Sequence, residues 1–312
     1  MKRLIPLAAI TLTLATQAVL PNSPRQPTTA APYFTYFLIF ALAVYTVFAA
    51  ISLFSEKTRA YILRKYPFIS GVFIFLTALN FLTSKFAVLP ALYFPSLDRV
   101  FAALTEERAL LLKCLSYSTR LLIVGYLCGA LAGFFTGVCI GFNKTVSYWV
   151  SPIVRILGPI PSVAWIPLAL IAFSSASRAS SFLIGLSVWF PTTIMTSSGI
   201  INVEQAYFEA GSVFGANAFQ RIFKIGVPAA MPHIFLGLFN GVCASFITLV
   251  TAEMIGAKYG LGWYINWQKD MLSYANVYAG LLVIAASFSI LISLMFRARD
   301  KALSWQKGMV KW

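Results

Sequence analysis

Charged residues are scarce in this 312-residue chain, where Asp, Glu, Lys and Arg together make up 11%. A typical soluble domain is about 25% charged and about 45–50% apolar. Here 59% of the residues are hydrophobic and the mean hydropathy is +0.81. A water-soluble core of this size cannot bury that much apolar surface. The composition therefore excludes an ordinary soluble domain and indicates a protein whose solvent is a lipid bilayer.

Acidic residues are scarcer still, because 9 Asp and Glu stand against 24 Lys and Arg, for a formal net charge of +15. In a soluble protein such a charge suggests a nucleic-acid partner. No basic helix or aromatic RNA-binding motif occurs in this sequence, and basic residues that flank membrane spans explain the charge better. We therefore expect the bilayer as a partner and no nucleic acid.

Groups that support metal binding or catalysis are also few. The 4 cysteines form no C-x-x-C pair, and His233 is the 1 histidine, so we expect no metal site and no cofactor. Asp and Glu are nearly absent from the apolar runs, which argues against a membrane-embedded enzyme. No G-x-x-x-x-G-K-[ST] loop occurs, so we do not expect the chain to hydrolyse ATP itself.

Long apolar runs are what the sequence does contain. A membrane-spanning helix needs about 20 mostly apolar residues. Runs of that length cover residues 34–54, 67–88, 118–141, 150–173, 180–200, 233–251 and 276–296. We therefore expect an all-α fold, a polytopic transmembrane helical bundle. The shorter run 4–20 is either the apolar core of a cleaved signal peptide or a short first span, and we favour a retained span.

The distribution of Lys and Arg predicts the orientation of these spans. If the N-terminus is cytoplasmic and the spans alternate, about twice as many Lys and Arg lie inside as outside, as the positive-inside rule requires. The basic segment 55–66 is then a cytoplasmic connector. We divide the chain into an N-terminal extension with one or two spans (1–60), a six-span core (61–300) and a basic cytoplasmic tail (301–312).

One cytoplasmic connection, residues 201–232, is long and has an organisation of its own. A first helix fits Val203 to Phe214. Gly215 ends it, because glycine adopts the left-handed conformation after a helix without a Cβ clash. Asn217 then caps a second short helix, with Gln220 three residues on, as in a capping box. The pattern predicts a helix–turn–helix at the membrane surface.

The second short helix presents apolar side chains on one side. Phe219 and Phe223 lie there, whereas Arg221 points elsewhere, and Pro228 is expected to end the unit before the next span. An amphipathic helix lying on lipid headgroups has this pattern. So does a docking element seated in the groove of a soluble partner. The residues leave both interpretations open.

The same loop resembles the EAA loop of ABC importer permeases. That family's pattern is EAA, three residues, G, nine residues and I-x-L-P. It is matched here by Glu209, Ala210, Gly211, Gly215 and the run Ile225-Gly226-Val227-Pro228. Gly211 replaces the third alanine and Val227 replaces leucine. Residues 94–104 also resemble the family's extracytoplasmic segment before its second core span, and residues 158–173 and 252–265 resemble segments of its nitrate/sulfonate/taurine branch.

The resemblance implies a six-span type I ABC importer permease core with one or two extra N-terminal spans, in the bacterial cytoplasmic (inner) membrane. The implied partners are cytoplasmic ABC ATPase subunits, which use the ATP, a second permease copy and an extracytoplasmic solute-binding protein. The solute would be a small anion such as nitrate, a sulfonate, taurine or bicarbonate, or a vitamin precursor. By motif or by physical pattern, the ATPase-coupling residues are Glu209, Ala210, Gly211, Gly215, Phe219, Arg221, Phe223 and Pro228.

Candidate path residues come from the proline-rich run 150–173. Prolines break a helix and free backbone groups, which is tolerated where they line a cavity or pack on neighbouring helices. Pro161, Ser162 and Trp165 are therefore candidates, against the alternative of a kinked packing helix. Glu253, at the outer end of its span, would pair with a basic residue or help to form a gate. The competing function is a secondary transporter or channel that works without an ATPase.

Overall fold

The computed structural model describes residues 3–306, and every regular element in that range is helical. The α-helices are α1 (Ile5–Val19), α2 (Tyr33–Phe54), α3 (Glu56–Asn80), α4 (Leu97–Glu106), α5 (Arg108–Phe142), α6 (Lys144–Leu157), α7 (Ile166–Ala172), α8 (Ala176–Ile201), α9 (Gln205–Val213), α10 (Ala218–Gln220), α11 (Val227–Gly256), α12 (Leu261–Asp270) and α13 (Tyr274–Ala302). The predicted all-α fold is confirmed.

Within residues 3–306, 6 helices are long and apolar enough to cross a membrane. They begin or end within a few residues of the predicted spans, except where short helical segments extend them. The predicted span 150–173 is instead a pair of helices, α6 and residues 162–172, bent by 89°. The chain turns at Gly158-Pro159-Ile160-Pro161, where two prolines remove backbone donors. The predicted break in this run is therefore present.

The predicted connector 55–66 is helical from Glu56 onward, because these residues form the first turns of α3. Ser55 caps the helix by accepting a hydrogen bond from the Thr58 backbone N–H. The helix then continues through Pro67 into the apolar run. The predicted boundary between residues 60 and 61 accordingly falls inside α3. Of the predicted tail, residues 307–312 lie outside the described range.

The chain forms two compact units, and the first contains residues 1–111 and 265–281. Its apolar core joins the first three helices through Ile10, Phe34, Leu38, Tyr45 and Phe73. Most of the outer face of α2 is apolar and exposed, as expected for a helix that faces lipid. The short α1 contributes both core residues and polar contacts to this unit.

The second unit, residues 112–264 and 282–312, is organised around α8. Glycines of α5 recur every four residues on the face that meets α8, and we call this face the glycine seam. Its members are Gly125, Gly129, Gly133, Gly137 and Gly141. A Cβ atom at Gly129 would lie 2.2 Å from the Gly185 carbonyl oxygen. Small residues let membrane helices approach closely, so this seam fixes the α5–α8 packing.

Candidate functional site

The turn between α9 and α10 is a defined structure. Gly215 has φ +75°, the left-handed conformation in which other residues are strained. Its N–H donates to the Ser212 carbonyl (3.0 Å), and the Ala216 N–H donates to the Gly211 carbonyl (2.9 Å). These two bonds make a Schellman motif, which satisfies the last carbonyls of α9. Gly215 therefore fixes the direction of the chain as it leaves the helix.

A capping box begins the second short helix, as the sequence predicts. The Gln220 N–H donates to Asn217 Oδ1 (2.8 Å), and the Asn217 N–H donates to Gln220 Oε1 (3.0 Å). The two bonds satisfy donors that a helix start leaves free. The turn is thus held on both sides by local hydrogen bonds, without help from a partner.

The expectation that Pro228 ends this unit is wrong. A π-helical turn, Arg221–Gly226, follows α10 and leads directly into α11. Pro228 occupies the first turn of α11 and Pro232 lies inside it, so the helix runs on from 218 to 256. The first turn of a helix tolerates proline, because its N–H would have no partner there. The second short helix is therefore continuous with a membrane span.

Large apolar side chains cover the outside of this turn, and we call them the loop surface: Val213, Phe214, Phe219 and Phe223. Phe214 is 89% exposed and Phe219 is 67% exposed. The rings of Phe219 and Phe223 contact each other, with centroids 4.6 Å apart. Clustered exposed apolar side chains mark a surface that meets a partner or a membrane.

Polar members of the predicted coupling set lie around the loop surface. Glu209 is exposed and accepts a hydrogen bond from Gln205 Nε2 on the preceding turn (2.9 Å). Ala210 and Arg221 are exposed as well. None of these three side chains is buried by its own chain. Of the predicted coupling residues, Glu209, Ala210 and Arg221 are therefore exposed, whereas Gly211 and Pro228 are only partly exposed.

The inner side of the loop packs on the membrane helices. The Phe208 ring meets the Phe142 ring edge to face, with centroids 5.8 Å apart. Gly226 is buried against the same ring, since a Cβ atom there would lie 2.3 Å from Phe142 Cζ. Ile222 joins the core cluster of Ile200 and Ala230. The inner side of the loop therefore packs against the ends of α5, α8 and α11.

An open groove of about 920 Å³ lies beside the loop. Residues from the end of α5, the start of α6 and the end of α8 line it, together with Phe208 and Ile222. The two cations in its lining are Lys144 and Arg221. The groove is a surface feature, and its mixed lining does not define a pocket for one ligand class.

The turn between α6 and α7 holds three of the predicted path residues. Pro161 is exposed, and Ser162 begins a 3₁₀ turn that ends at Trp165. The Ser162 hydroxyl hydrogen-bonds to Thr248 Oγ1 of α11 (2.6 Å). Trp165 Nε1 is buried and has no hydrogen-bond partner among residues 3–306. The turn is therefore hydrogen-bonded to α11, and the Trp165 N–H remains available as a donor.

Glu253 occupies a different environment from the one predicted. Its carboxylate is fully buried and makes no ion pair among residues 3–306. One oxygen accepts a hydrogen bond from the Gly262 N–H (2.9 Å). Gly260, at φ +141°, passes so close that a Cβ atom would lie 2.4 Å from the carboxyl carbon. Glu253 thus holds the segment between α11 and α12, and its predicted place at a gate stays a prediction.

The neighbouring hydroxyl supports the same segment. Ser118 Oγ of α5 accepts a hydrogen bond from the Leu261 N–H (2.9 Å). Ser118 and Glu253 both line a small cavity of about 20 Å³, with Thr119 and Ser287 at its other walls. Within the part of the chain that the structure describes, Glu253 Oε1 accepts no hydrogen bond. A cavity of that size holds about one water molecule.

Sequence patterns missed several members of this arrangement. Thr248 lies in no motif, and Gly262 lies in the family-like segment 252–265 without a predicted contact, since the roles of both arise from contacts between helices. Val213 and Phe214 precede Gly215 directly, and their position at a helix end was the available signal. The four-residue spacing of the glycine seam was a readable signal as well. Among residues 3–306, no group of three or more His, Cys, Asp or Glu could hold a metal ion.

The sequence is similar to a known family of membrane transport proteins. The family model described as binding-protein-dependent transport system inner membrane component matches residues 125–304. The nitrate import permease protein NrtB of Synechocystis sp. is 32% identical over 185 residues, or 57% of this chain and 67% of that protein. The taurine transport system permease protein TauC of Escherichia coli is 30% identical over 197 residues, or 63% and 71%.

Solved structures show the same fold. A chain of the inward-facing MetNI methionine ABC transporter superposes with a TM-score of 0.53 at 20% identity. The match covers 64% of this chain and 97% of that chain. The predicted polytopic helical fold is confirmed by this likeness. The chain spans about two thirds of the length of the two curated relatives above.

Proposed function

The chain belongs to the family of binding-protein-dependent transport system inner membrane components, and from that premise we propose that it carries a small anion across the bacterial inner membrane. It works as the permease subunit of an ATP-driven importer. A second copy completes the translocation path, separate ABC ATPase subunits use the ATP, and a solute-binding protein delivers the solute. The exposed loop surface is the observation that carries this proposal.

The loop surface supports docking of an ATPase better than lipid contact. A helix lying on headgroups is held by its own apolar face and needs no fixed turn. Here Gly215 and the capping box fix the turn, and Phe208 and Gly226 attach its inner side to membrane helices. A rigid apolar projection suits a groove in a folded partner. ATPase motion would then move α5, α8 and α11 as rigid bodies.

The broken span supports a place on the translocation path. Ser162 and Trp165 lie at its turn, where the chain leaves helical geometry. Irregular backbone at membrane depth is tolerated where it is buried in protein or lines a water-filled cavity. The unpartnered Trp165 N–H is a neutral donor suited to an oxyanion. Named relatives of this chain handle taurine and nitrate, so we infer an anion with oxygen acceptors.

Co-purification from mild detergent tests the proposal. The tagged chain is expressed with its gene neighbours, and the proteins that accompany it are identified by mass spectrometry. We expect a P-loop ATPase with the unmodified chain. Replacing two aromatic side chains of the loop surface, Phe219→Ala with Phe223→Ala, should remove at least about 90% of that ATPase, as loss of central interface residues does.

A matched control uses two exposed aromatics of α2. Phe40 is 67% exposed, as Phe219 is, and Phe48 is 48% exposed. The Phe40→Ala/Phe48→Ala variant should keep its ATPase, because these rings face lipid. Equal ATPase recovery from both double variants would overturn the coupling role of the loop. Solute uptake by the purified chain alone, without ATP, would instead favour a secondary transporter or channel.

A further inference from the structure

The start of α1 is fastened to α2. The Tyr45 hydroxyl donates to the Arg3 carbonyl (2.8 Å). In return, Arg3 Nη1 donates to the Ser52 carbonyl (3.2 Å) and to its hydroxyl (3.3 Å). Ser52 is buried, and Tyr45 is only 7% exposed. The first turn of the chain is therefore built into the unit and does not merely lie against it.

The middle of α1 is fastened to α3. Thr13 is fully buried, and its hydroxyl hydrogen-bonds to the Thr77 hydroxyl (2.8 Å). One turn earlier, Ile10 lies in the apolar core with Phe34 and Leu38. A hydroxyl pair between membrane helices stabilises their contact by roughly the same amount as in water. The contact also fixes the rotation of α1, because both hydroxyls must face each other.

The end of α1 receives the strongest polar contacts. Lys85, only 9% exposed, donates through Nζ to the Leu20 carbonyl (2.6 Å) and the Gln17 carbonyl (3.1 Å). Its third bond goes to Asn22 Oδ1 (2.8 Å). The last carbonyls of a helix have no partner within it and attract a cation. Lys85 therefore acts as the C-terminal cap of α1.

Gln17 links this cap to a second buried charge. The Asn80 side-chain amide donates to Gln17 Oε1 (2.8 Å), and Gln17 Nε2 donates to Asp98 Oδ2 (2.9 Å). The other Asp98 oxygen accepts from the Phe34 N–H (3.0 Å). Without α1, Asp98 and Asn80 would lose Gln17, and Asn22 would be the one side-chain partner left to Lys85 among residues 3–306. The network requires α1 to be present.

The sequence alone allows the opposite outcome. A basic start, an apolar run and the small residues Thr16 and Ala18 together fit the general form of a cleavable signal peptide. In the structure these small residues lie in the last turn of α1, which ends at Val19. The bonds of Gln17 and Lys85 hold that turn helical. A peptidase would have to break them before the chain became extended.

We propose that residues 3–20 remain in the mature protein as a short membrane helix, capped by Lys85 and joined through Gln17 to Asp98. This assignment concerns the first compact unit and does not depend on the transport function. It also gives Lys85 and Asp98 a role, which is to bind an added helix. In this account they line no path for a solute.

The N-terminus of the purified protein decides the first part of the proposal. A C-terminally tagged chain, expressed in a host with an active signal peptidase, is analysed by intact mass and by N-terminal sequencing. We expect a mass that includes residues 3–20. A protein that begins at residue 19 or 21 would overturn the proposal directly.

Thermal unfolding in detergent tests the cap. Lys85→Met keeps the chain length and removes the three hydrogen bonds, so the apparent melting temperature should fall by roughly 5 °C or more. Lys65→Met, at an exposed position of α3, is the matched control and should melt within about 1 °C of the unmodified protein. Lys85→Arg, which retains a cationic donor, should restore most of the loss. Equal melting of the Lys85→Met and Lys65→Met variants would contradict the cap.

Discussion

The glycine seam and the loop surface use opposite residue sizes for opposite tasks. Along the seam, α5 has glycine at each position where a side chain would separate it from α8. On the loop, four large apolar side chains project away from the chain that carries them. Close approach is achieved with small residues and a projecting surface with large ones. The seam therefore completes contacts inside the chain, whereas the side chains of the loop surface stay exposed on it.

The largest effect is expected where the seam is tightest. Gly129→Leu places a side chain where a Cβ atom alone would lie 2.2 Å from the Gly185 carbonyl oxygen. Backbone cannot rotate away as a side chain can, so α5 and α8 should separate and the protein should fail to accumulate as a single species. Size-exclusion chromatography of a fluorescent fusion measures this.

Gly71 of α3 provides the control for that change. No atom lies within 4 Å of a Cβ built there, so Gly71→Leu should leave the elution profile unchanged. Similar profiles for the Gly71→Leu and Gly129→Leu variants would show that the seam is not a close contact. Small residues would then not explain how α5 packs against α8.

A smaller effect is expected at the carboxylate that holds the segment after α11. Glu253→Ala leaves the Gly262 N–H without its acceptor inside the protein, which costs about 1–3 kcal/mol. Glu253→Gln keeps one oxygen and should cost less. The melting temperature in detergent should therefore decrease from the unmodified protein to the Gln and then to the Ala variant. A Gln variant that melts below the Ala variant would contradict this role.

At the loop itself, a change in backbone freedom should reduce coupling without removing the protein from the membrane. Gly215→Ala forces a Cβ atom into the left-handed conformation at φ +75°, at a cost of about 1–2 kcal/mol. Gly215→Asn should be milder, since asparagine tolerates that region better. ATPase recovery should decrease from Gly to Asn to Ala. Equal recovery from all three would mean that the turn need not be fixed.

The smallest effect is expected at Gly211, where this chain departs from the family pattern. A Cβ atom there would lie 2.4 Å from Ile225 Cδ1, the flexible end of a side chain. Gly211→Ala should therefore be tolerated, with a change in stability below about 1 kcal/mol, because alanine also favours the helix. Adding Ile225→Val removes the clashing methyl group. A severe defect in the single variant that the second change does not relieve would contradict this explanation.

Much of the fold could be predicted because its signals are local. Apolar runs of membrane length, the capping box of Asn217 and Gln220, and the helix-ending Gly215 each lie within a few residues of the structure they determine. The positions of the spans and the helix–turn–helix form of the loop followed from these signals. The resemblance to the EAA loop then predicted which residues of this loop couple to an ATPase, and that assignment stays a prediction.

The remainder depended on contacts between distant residues. Pro228 was expected to end the helix–turn–helix unit before the next span. Instead, the π-helical turn Arg221–Gly226 leads directly into α11, and Pro228 lies in the first turn of that helix. Glu253 was expected to meet a cation or a gate, yet its partner is a backbone N–H made accessible by the glycines at 260 and 262. No local pattern encodes either outcome, because each depends on how helices pack around the residue.

Photo-crosslinking from the loop tests the central claim most directly. A photoreactive amino acid replaces Phe214, which is 89% exposed, or Phe54, which is 93% exposed at the end of α2. We expect irradiated membranes to give an adduct with a P-loop ATPase from position 214 and none from position 54. An adduct with lipid alone at position 214, while the ATPase is present, would contradict the account and make the loop a membrane-surface element.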